Sequence, residues 1–177
     1  FETFTWAAGL ASATERIGLF MTVHVPLVHP LYAAKALATV DHISQGRAGL
    51  NIVCGWNPDE FAMFGIDPVP DRYVQGQEWW DIVRRIHEGG APFDHDGRFY
   101  RLRQVRGLPP PVQRPHPFTL NAAFGPEGRD FAARNVEIVG PRGRVEHGAL
   151  VLREHGHPGQ RHRDVEGHQR EHRPGRS

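Results

Sequence analysis

The stretch from Ile17 to Cys54 constrains this chain more than any other. IGLFMTVHV (17–25) is an apolar, β-rich run bounded by Gly18 and Pro26, and GLNIVC (49–54) is a second one. Between them Pro30 suits a first helical position. Ala33, Leu37 and Val40, with Ala36, Val40 and Ile43, then recur at three and four residues until Gly46 supplies a left-handed stop. A strand, a helix and a strand in that order make a βαβ unit, whose strands pair in parallel through a right-handed crossover.

The rhythm extends in both directions. Residues 1–15 carry Ala, Leu and Trp6 at helical spacing. Downstream, Asp71 is placed to cap a helix whose buried face is Trp79, Ile82, Val83 and Ile86, ended by Gly89-Gly90. Residues 91–117 break the pattern. DHDGRFYRL reads as a short hairpin turning at Asp96-Gly97, and Pro109, Pro110, Pro111, Pro115 and Pro117 make the rest an extended excursion. FTLNAA (118–123) is a third strand, a helix follows around Glu127 to Arg134, and VEIV (136–139) begins a fourth strand. Such a run of β/α units with both sheet faces covered belongs to a doubly wound sheet or a (β/α) barrel, of which this many strands is half.

With 177 residues, 39% of them apolar, the chain is long enough for one domain with a real core. A net charge of +1 gives no field that would draw nucleic acid or a membrane surface. The single cysteine, Cys54, excludes an internal disulfide and fits a reducing compartment. No apolar run approaches the roughly 20 residues that span a bilayer, so a cytoplasmic protein is expected.

The two ends stand apart from this picture. The start at Phe1 reads as the middle of a domain. From Gly140 onward, GPRGRVEHGALVLREHGHPGQRHRDVEGHQREHRPGRS has no aromatic residue and is dominated by Arg, His and Gly, so a disordered tail over 140–177 is expected after a domain over 1–139. Lys35 is the only lysine, a usage of GC-rich coding DNA. Such DNA read out of frame gives Arg/Gly/Pro/His-rich text, and a frameshifted tail is the expectation, with a genuine solvated tail as the alternative.

In parallel α/β folds ligands sit at the carboxyl ends of the strands, a filter that selects His24, the segment from Asn51 to Asn57, and the segment from Asn121 to Gly128. Asn51 stands out, because a lone amide inside LNIVCG must find partners or cost a few kcal/mol; a ligand or a neighbouring strand would serve equally. Trp56 can stack on a planar ring or plug a barrel mouth. Glu60 can accept from a ligand or act as an ordinary first-turn acid. Arg72 and Tyr73 open a helix, where free N–H groups favour anions and a phosphate would fit; an exposed Arg beside a half-buried Tyr is the plainer reading. The glycine-rich turn AAFGPEGRD, with Gly125, is a second possible phosphate cradle. Cys54 has no His or acid spaced to activate it and reads as a small buried residue. The tail histidines, such as His155 and His157, form no fixed metal-ligand set, so no metal is expected.

Four segments, ETFTWAAGLASATERIGL, HPLYAAKALATVDHISQGRAGLNIVCGWNPDEFAMFG, DRYVQGQEWWDIVRRI and FTLNAAFGPEGRDFAA, together resemble the flavin-dependent luciferase-like monooxygenases in order and spacing. The likeness is strongest to the branch with the nitrilotriacetate, dibenzothiophene-sulfone and pyrimidine monooxygenases. The resemblance implies a partial TIM-like (β/α) barrel, matching from about the family's third strand to just beyond its fifth helix. It also implies a parent enzyme that uses reduced FMN, supplied by a separate flavin reductase, and O₂ to oxygenate a small organic substrate, as a homo-oligomer. On the same resemblance Asn51 and Glu60 fall on flavin-contacting positions and Arg72 with Tyr73 near the ribityl-phosphate. Gly125 stands where relatives usually carry Ser, which leaves the phosphate cradle to backbone N–H groups. Catalytic groups would lie in units this chain lacks. A deazaflavin-dependent oxidoreductase of the same fold, and an inactive fragment with exposed barrel edges, are the alternatives.

Overall fold

The computed structural model describes residues 1–55, 57–67, 69–122 and 125–139; Trp56 and the tail after 139, including the expectations placed on them, lie outside the described residues. Helix α1 (Thr3–Ala13) starts where the Glu2 carboxylate accepts the N–H groups of Phe4 and Thr5, and it buries Phe4, Ala7 and Ala11. Trp6, at helical spacing with them, is 53% exposed. Strand β1 (Leu19–His24) leads through a tight turn to α2 (Pro30–Ser44). That helix ends on Gln45 at φ 56, one residue before the expected stop at Gly46, which is itself left-handed at φ 87.

Strand β2 (Ala48–Val53) is followed by the short α3 (Pro58–Met63) and the long α4 (Arg72–Glu88), whose Trp79, Ile82, Val83 and Ile86 are all buried. Next come β3 (Phe93–Asp96), β4 (Arg101–Val105), β5 (Phe118–Asn121), α5 (Gly125–Asn135) and β6 (Ile138–Val139). The main sheet has the order β1-β2-β5-β6, and every pairing in it is parallel. The hairpin β3–β4 is a separate antiparallel ribbon.

The period-two alternation of the strands separates two faces. Met21, Val23, Leu50 and Ile52 join Leu37, Val40, Trp79, Ile82 and Val83 in one apolar core beneath the helices. The opposite face carries Phe20, Thr22 and His24 from β1, Gly49, Asn51 and Val53 from β2, and Phe118, 57% exposed, from β5. Among the described residues the helices cover one face alone. The expected covering of both faces is therefore corrected: this is the wall of a (β/α) barrel, whose second face points inward, and not a doubly wound sheet.

Polar anchors hold this wall in register. Arg47 gives its guanidinium to the carbonyls of Ala11, Thr14, Ile17 and Ser44 and to Thr14 Oγ1, tying the end of α1 to the starts of β1 and β2. The fully buried Asp41 carboxylate accepts the backbone N–H and the side-chain amide of Gln113 at 2.9 and 2.6 Å, which pins the proline-rich excursion against α2. The hairpin turn is longer than expected, spanning the four residues between Asp96 and Arg101, because it wraps a carboxylate from α4. Glu78 accepts the N–H groups of Arg98, Phe99 and Tyr100 and faces His95 Nε2 at 3.0 Å. Asp71 occupies the N-cap position of α4 without capping it, since its side chain pairs instead with Arg98 at 2.7 Å. No helix among the described residues is long and apolar enough to cross a membrane.

Candidate functional site

Two groups of polar side chains gather at or near the carboxyl ends of β1 and β2, where parallel α/β folds bind ligands. The first lies on the inner sheet face. Asn51, 6% exposed, donates its amide N–H to Thr22 Oγ1 at 3.1 Å, while its Oδ1 is buried without a partner among the described residues. Thr22 is the register partner of Asn51, so the two stand side by side across the strands. At the end of β1, His24 Nδ1 lies 2.9 Å from Glu60 Oε2 of α3, within ion-pair distance but out of line for a good hydrogen bond. The His24 ring also meets Phe61 edge-on, with centroids 6.4 Å apart.

The second group surrounds a cavity of about 300 Å³ bordered by Pro26, Cys54, Gly55, Phe61, Arg72 and Glu127. Gly55 sits at φ +103 with the Phe61 ring where a Cβ would be, at 2.7 Å, so only glycine can make this corner. The corner turns the Gly55 carbonyl toward Arg72, which donates to it at 2.8 Å. The Arg72 guanidinium lies 5.0 Å from the Tyr73 ring centroid. Tyr73 in turn packs on Phe131 of α5 and brings its hydroxyl against Gly128, where a Cβ would stand 2.7 Å away. Burial raises the Tyr73 phenol above its ordinary value, against the pull of Arg72, so it stays protonated. Burial likewise pushes the Cys54 thiol up to about 12. Cys54 is thus a packed thiol against Gly76, as its sequence context suggested, and not a nucleophile.

Of the five residues singled out from sequence, Asn51 and Glu60 fall in the first group, and Arg72, Tyr73 and Gly125 in or beside the second. Of these five, only Arg72 borders the cavity that the described residues enclose. Gly125 opens α5 at φ +71 and is exposed, two residues before Glu127. Thr22 was not singled out, although the alternation of IGLFMTVHV puts it on the polar face with His24. Its role appears only through the register with Asn51. A larger concavity of about 420 Å³ lies near Glu88, Gly107 and Arg114, by the end of α4 on the side from which the strands start, away from these groups.

A one-layered wall of parallel β/α units with polar groups at its strand ends defines a (β/α)-barrel protein of enzyme type. Comparison with known proteins gives the family: residues 1–164 match the luciferase-like monooxygenase model, and the chain belongs to that family. It is 34% identical over 136 residues to the pyrimidine monooxygenase RutA of Bradyrhizobium sp. strain BTAi1, covering 75% of this chain and 37% of that protein. To one of the subunits of pristinamycin IIA synthase from Streptomyces pristinaespiralis it is 36% identical over 143 residues, covering 78% and 34%. Among solved structures, a riboflavin lyase (RcaE) with modified FMN and riboflavin superposes with a TM-score of 0.74 at 26% identity, over 78% of this chain and 36% of that one. An F420-dependent secondary alcohol dehydrogenase, at 21% identity and a TM-score of 0.69 over 77% of this chain and 42% of that one, shares the fold. The chain thus spans little more than a third of the relatives it matches.

Proposed function

We propose that this chain supplies one wall of a monooxygenase that uses reduced FMN, delivered by a separate flavin reductase, to oxygenate a small organic substrate with O₂. The observation that carries the reading is Asn51. Its Oδ1 is buried on the inner face with no partner among the described residues, an arrangement that costs about 1–3 kcal/mol unless a ligand N–H fills it. A flavin ring carries such an N–H. Arg72, at the cavity beside the first turn of α5, suits the phosphate, with helix N–H groups completing the cradle.

FMN therefore fits the residues present, with Asn51 and Glu60 on the ring and Arg72, Tyr73 and the Gly125–Gly128 turn toward the phosphate. When bound, reduced FMN supplies the electrons with which O₂ is activated. The chain's own part is to orient and to enclose. Asn51, fixed by Thr22, holds one acceptor in place; Arg72, fixed by the Gly55 carbonyl, holds a positive charge at the cavity; Phe61 and Pro26 exclude water on that side. The deazaflavin alternative has likeness of fold alone behind it. We further infer that residues 1–139 are the barrel portion, that the whole protein works in the cytoplasm, and that it assembles as a homo-oligomer.

The test joins this chain to the β/α units of a full-length relative that it does not span. Reductase-dependent oxygen uptake is then measured. Uptake that falls at least tenfold on Asn51→Leu supports the reading. Uptake absent with FMN, but electron exchange with a deazaflavin, would replace it with the alternative.

A further inference from the structure

We propose that one face of α4 sets the width of the strand-end cavity, with Trp79 as the positioning residue that holds the turn after β1. Arg72, Gly76 and Trp79 lie four and then three residues apart, so they share a face of the helix. Each of them meets a strand end. Arg72 donates to the carbonyl of Gly55, beyond β2, at 2.8 Å. Gly76 admits the Cys54 sulfur, which stands where a Cβ at position 76 would clash with it. The Trp79 indole, fully buried, donates its N–H to the Val28 carbonyl, beyond β1, at 2.7 Å.

The bond from Trp79 reaches the cavity through a short turn. Leu27 and Val28 both donate their N–H groups to the His24 carbonyl, which closes residues 24–28 on themselves, so the turn moves as one piece. Pro26 lies inside that turn and borders the cavity, its Cγ 3.4 Å from where a Gly55 Cβ would stand. Trp79 thus fixes Pro26, and Arg72 fixes Gly55, from a single helix. Loss of the indole N–H takes that donor from the Val28 carbonyl and frees the turn to shift, which opens the wall at Pro26 and loosens the corner around Cys54. With the turn held, water is kept from the Arg72 charge on that side, and its field on a bound anion is the stronger for it.

The inference rests on the cavity being a ligand site, as proposed above, but its test needs no flavin. Cys54 is the single thiol of the chain and borders the cavity, and burial pushes that thiol up to about 12, so it reacts with iodoacetamide only when this corner opens. Labelling rates of the intact chain, with and without low urea, separate a local opening, which urea leaves unchanged, from global unfolding, which urea speeds. Trp79→Phe should label at least tenfold faster than the parent by the urea-insensitive route. Trp80→Phe is the control, since Trp80 is almost as buried on the same helix but meets His116 of the proline-rich excursion instead. It should label faster only as far as its loss of global stability dictates. An unchanged rate in Trp79→Phe, or a rise that both variants share through global unfolding, overturns the proposal. Circular dichroism shows whether the fold is kept, and if Trp79→Phe unfolds, Trp79→benzothienylalanine, which keeps the ring shape and lacks the N–H, takes its place with the same expectation. Failure here would leave the FMN titration untouched, and failure of FMN binding would leave the thiol rates measurable.

Discussion

Asn51 separates a residue kept for stability from one kept for a ligand. Leucine at 51 would lose the bond to Thr22 but also remove a buried acceptor with no donor among the described residues. The balance is a change of stability within about 1 kcal/mol, in either direction. Urea unfolding checks that, and a loss of more than about 2 kcal/mol would mean Asn51 is structural. His87 gives a prediction of pH dependence. Burial holds its imidazole below the ordinary 6.5, although its bond to the Ala34 carbonyl pulls the other way. The unfolded chain therefore takes up a proton that the folded one refuses, so stability is full above about pH 6.5 and declines as the pH falls below it. Urea midpoints should drop as the pH falls below about 6.5, and His87→Gln should flatten that drop. Glu78 adds a second, more acidic limb. Burial alone would raise its carboxyl, but the bonds from His95, Tyr100 and Phe99 outweigh burial and hold it below 4.5, so its contribution is lost as the pH falls through and below that value.

At the scale of elements, two polar anchors decide how firmly pieces attach. Glu78→Ala would free the turn between β3 and β4 from α4, at a cost of about 1–3 kcal/mol, and hydrogen exchange should rise in the hairpin before it rises in the main sheet. Arg47→Ala would release the end of α1, and equal protection of α1 in the variant and the parent would contradict its role as a clamp. Neither anchor was legible in the sequence, because a carboxylate or guanidinium that binds backbone groups leaves no periodic trace. What was legible followed from periodicity. The runs at 17–25, 49–54, 118–123 and 136–139 contain the strands at 19–24, at 118–121 and at 138–139, and overlap the one at 48–53. The βαβ rule gave their parallel pairing. Turn lengths and the Asp71 cap were misread because tertiary partners, Glu78 and Arg98, overrode the local preference. For the site, the strand-end filter reached His24 and Asn51, but the pairings that give them meaning, with Glu60 and with Thr22, depend on which residues become neighbours across the sheet.

At the scale of the whole molecule, the central claim is that a barrel wall with an unfilled acceptor and a cationic cavity at its strand ends is built to hold FMN once the barrel closes. A wall alone leaves a flavin ring wet on one side, so burial and the electrostatics that depend on it are weak. Titration of FMN fluorescence against this chain, and against the chain joined to the remaining units of a full-length relative, tests this directly. The account predicts weak binding by the chain alone, and strong binding by the joined barrel that falls at least tenfold on Arg72→Ala. Tight binding by the chain alone, or a joined barrel whose affinity for FMN ignores Arg72→Ala and Asn51→Leu alike, would contradict it.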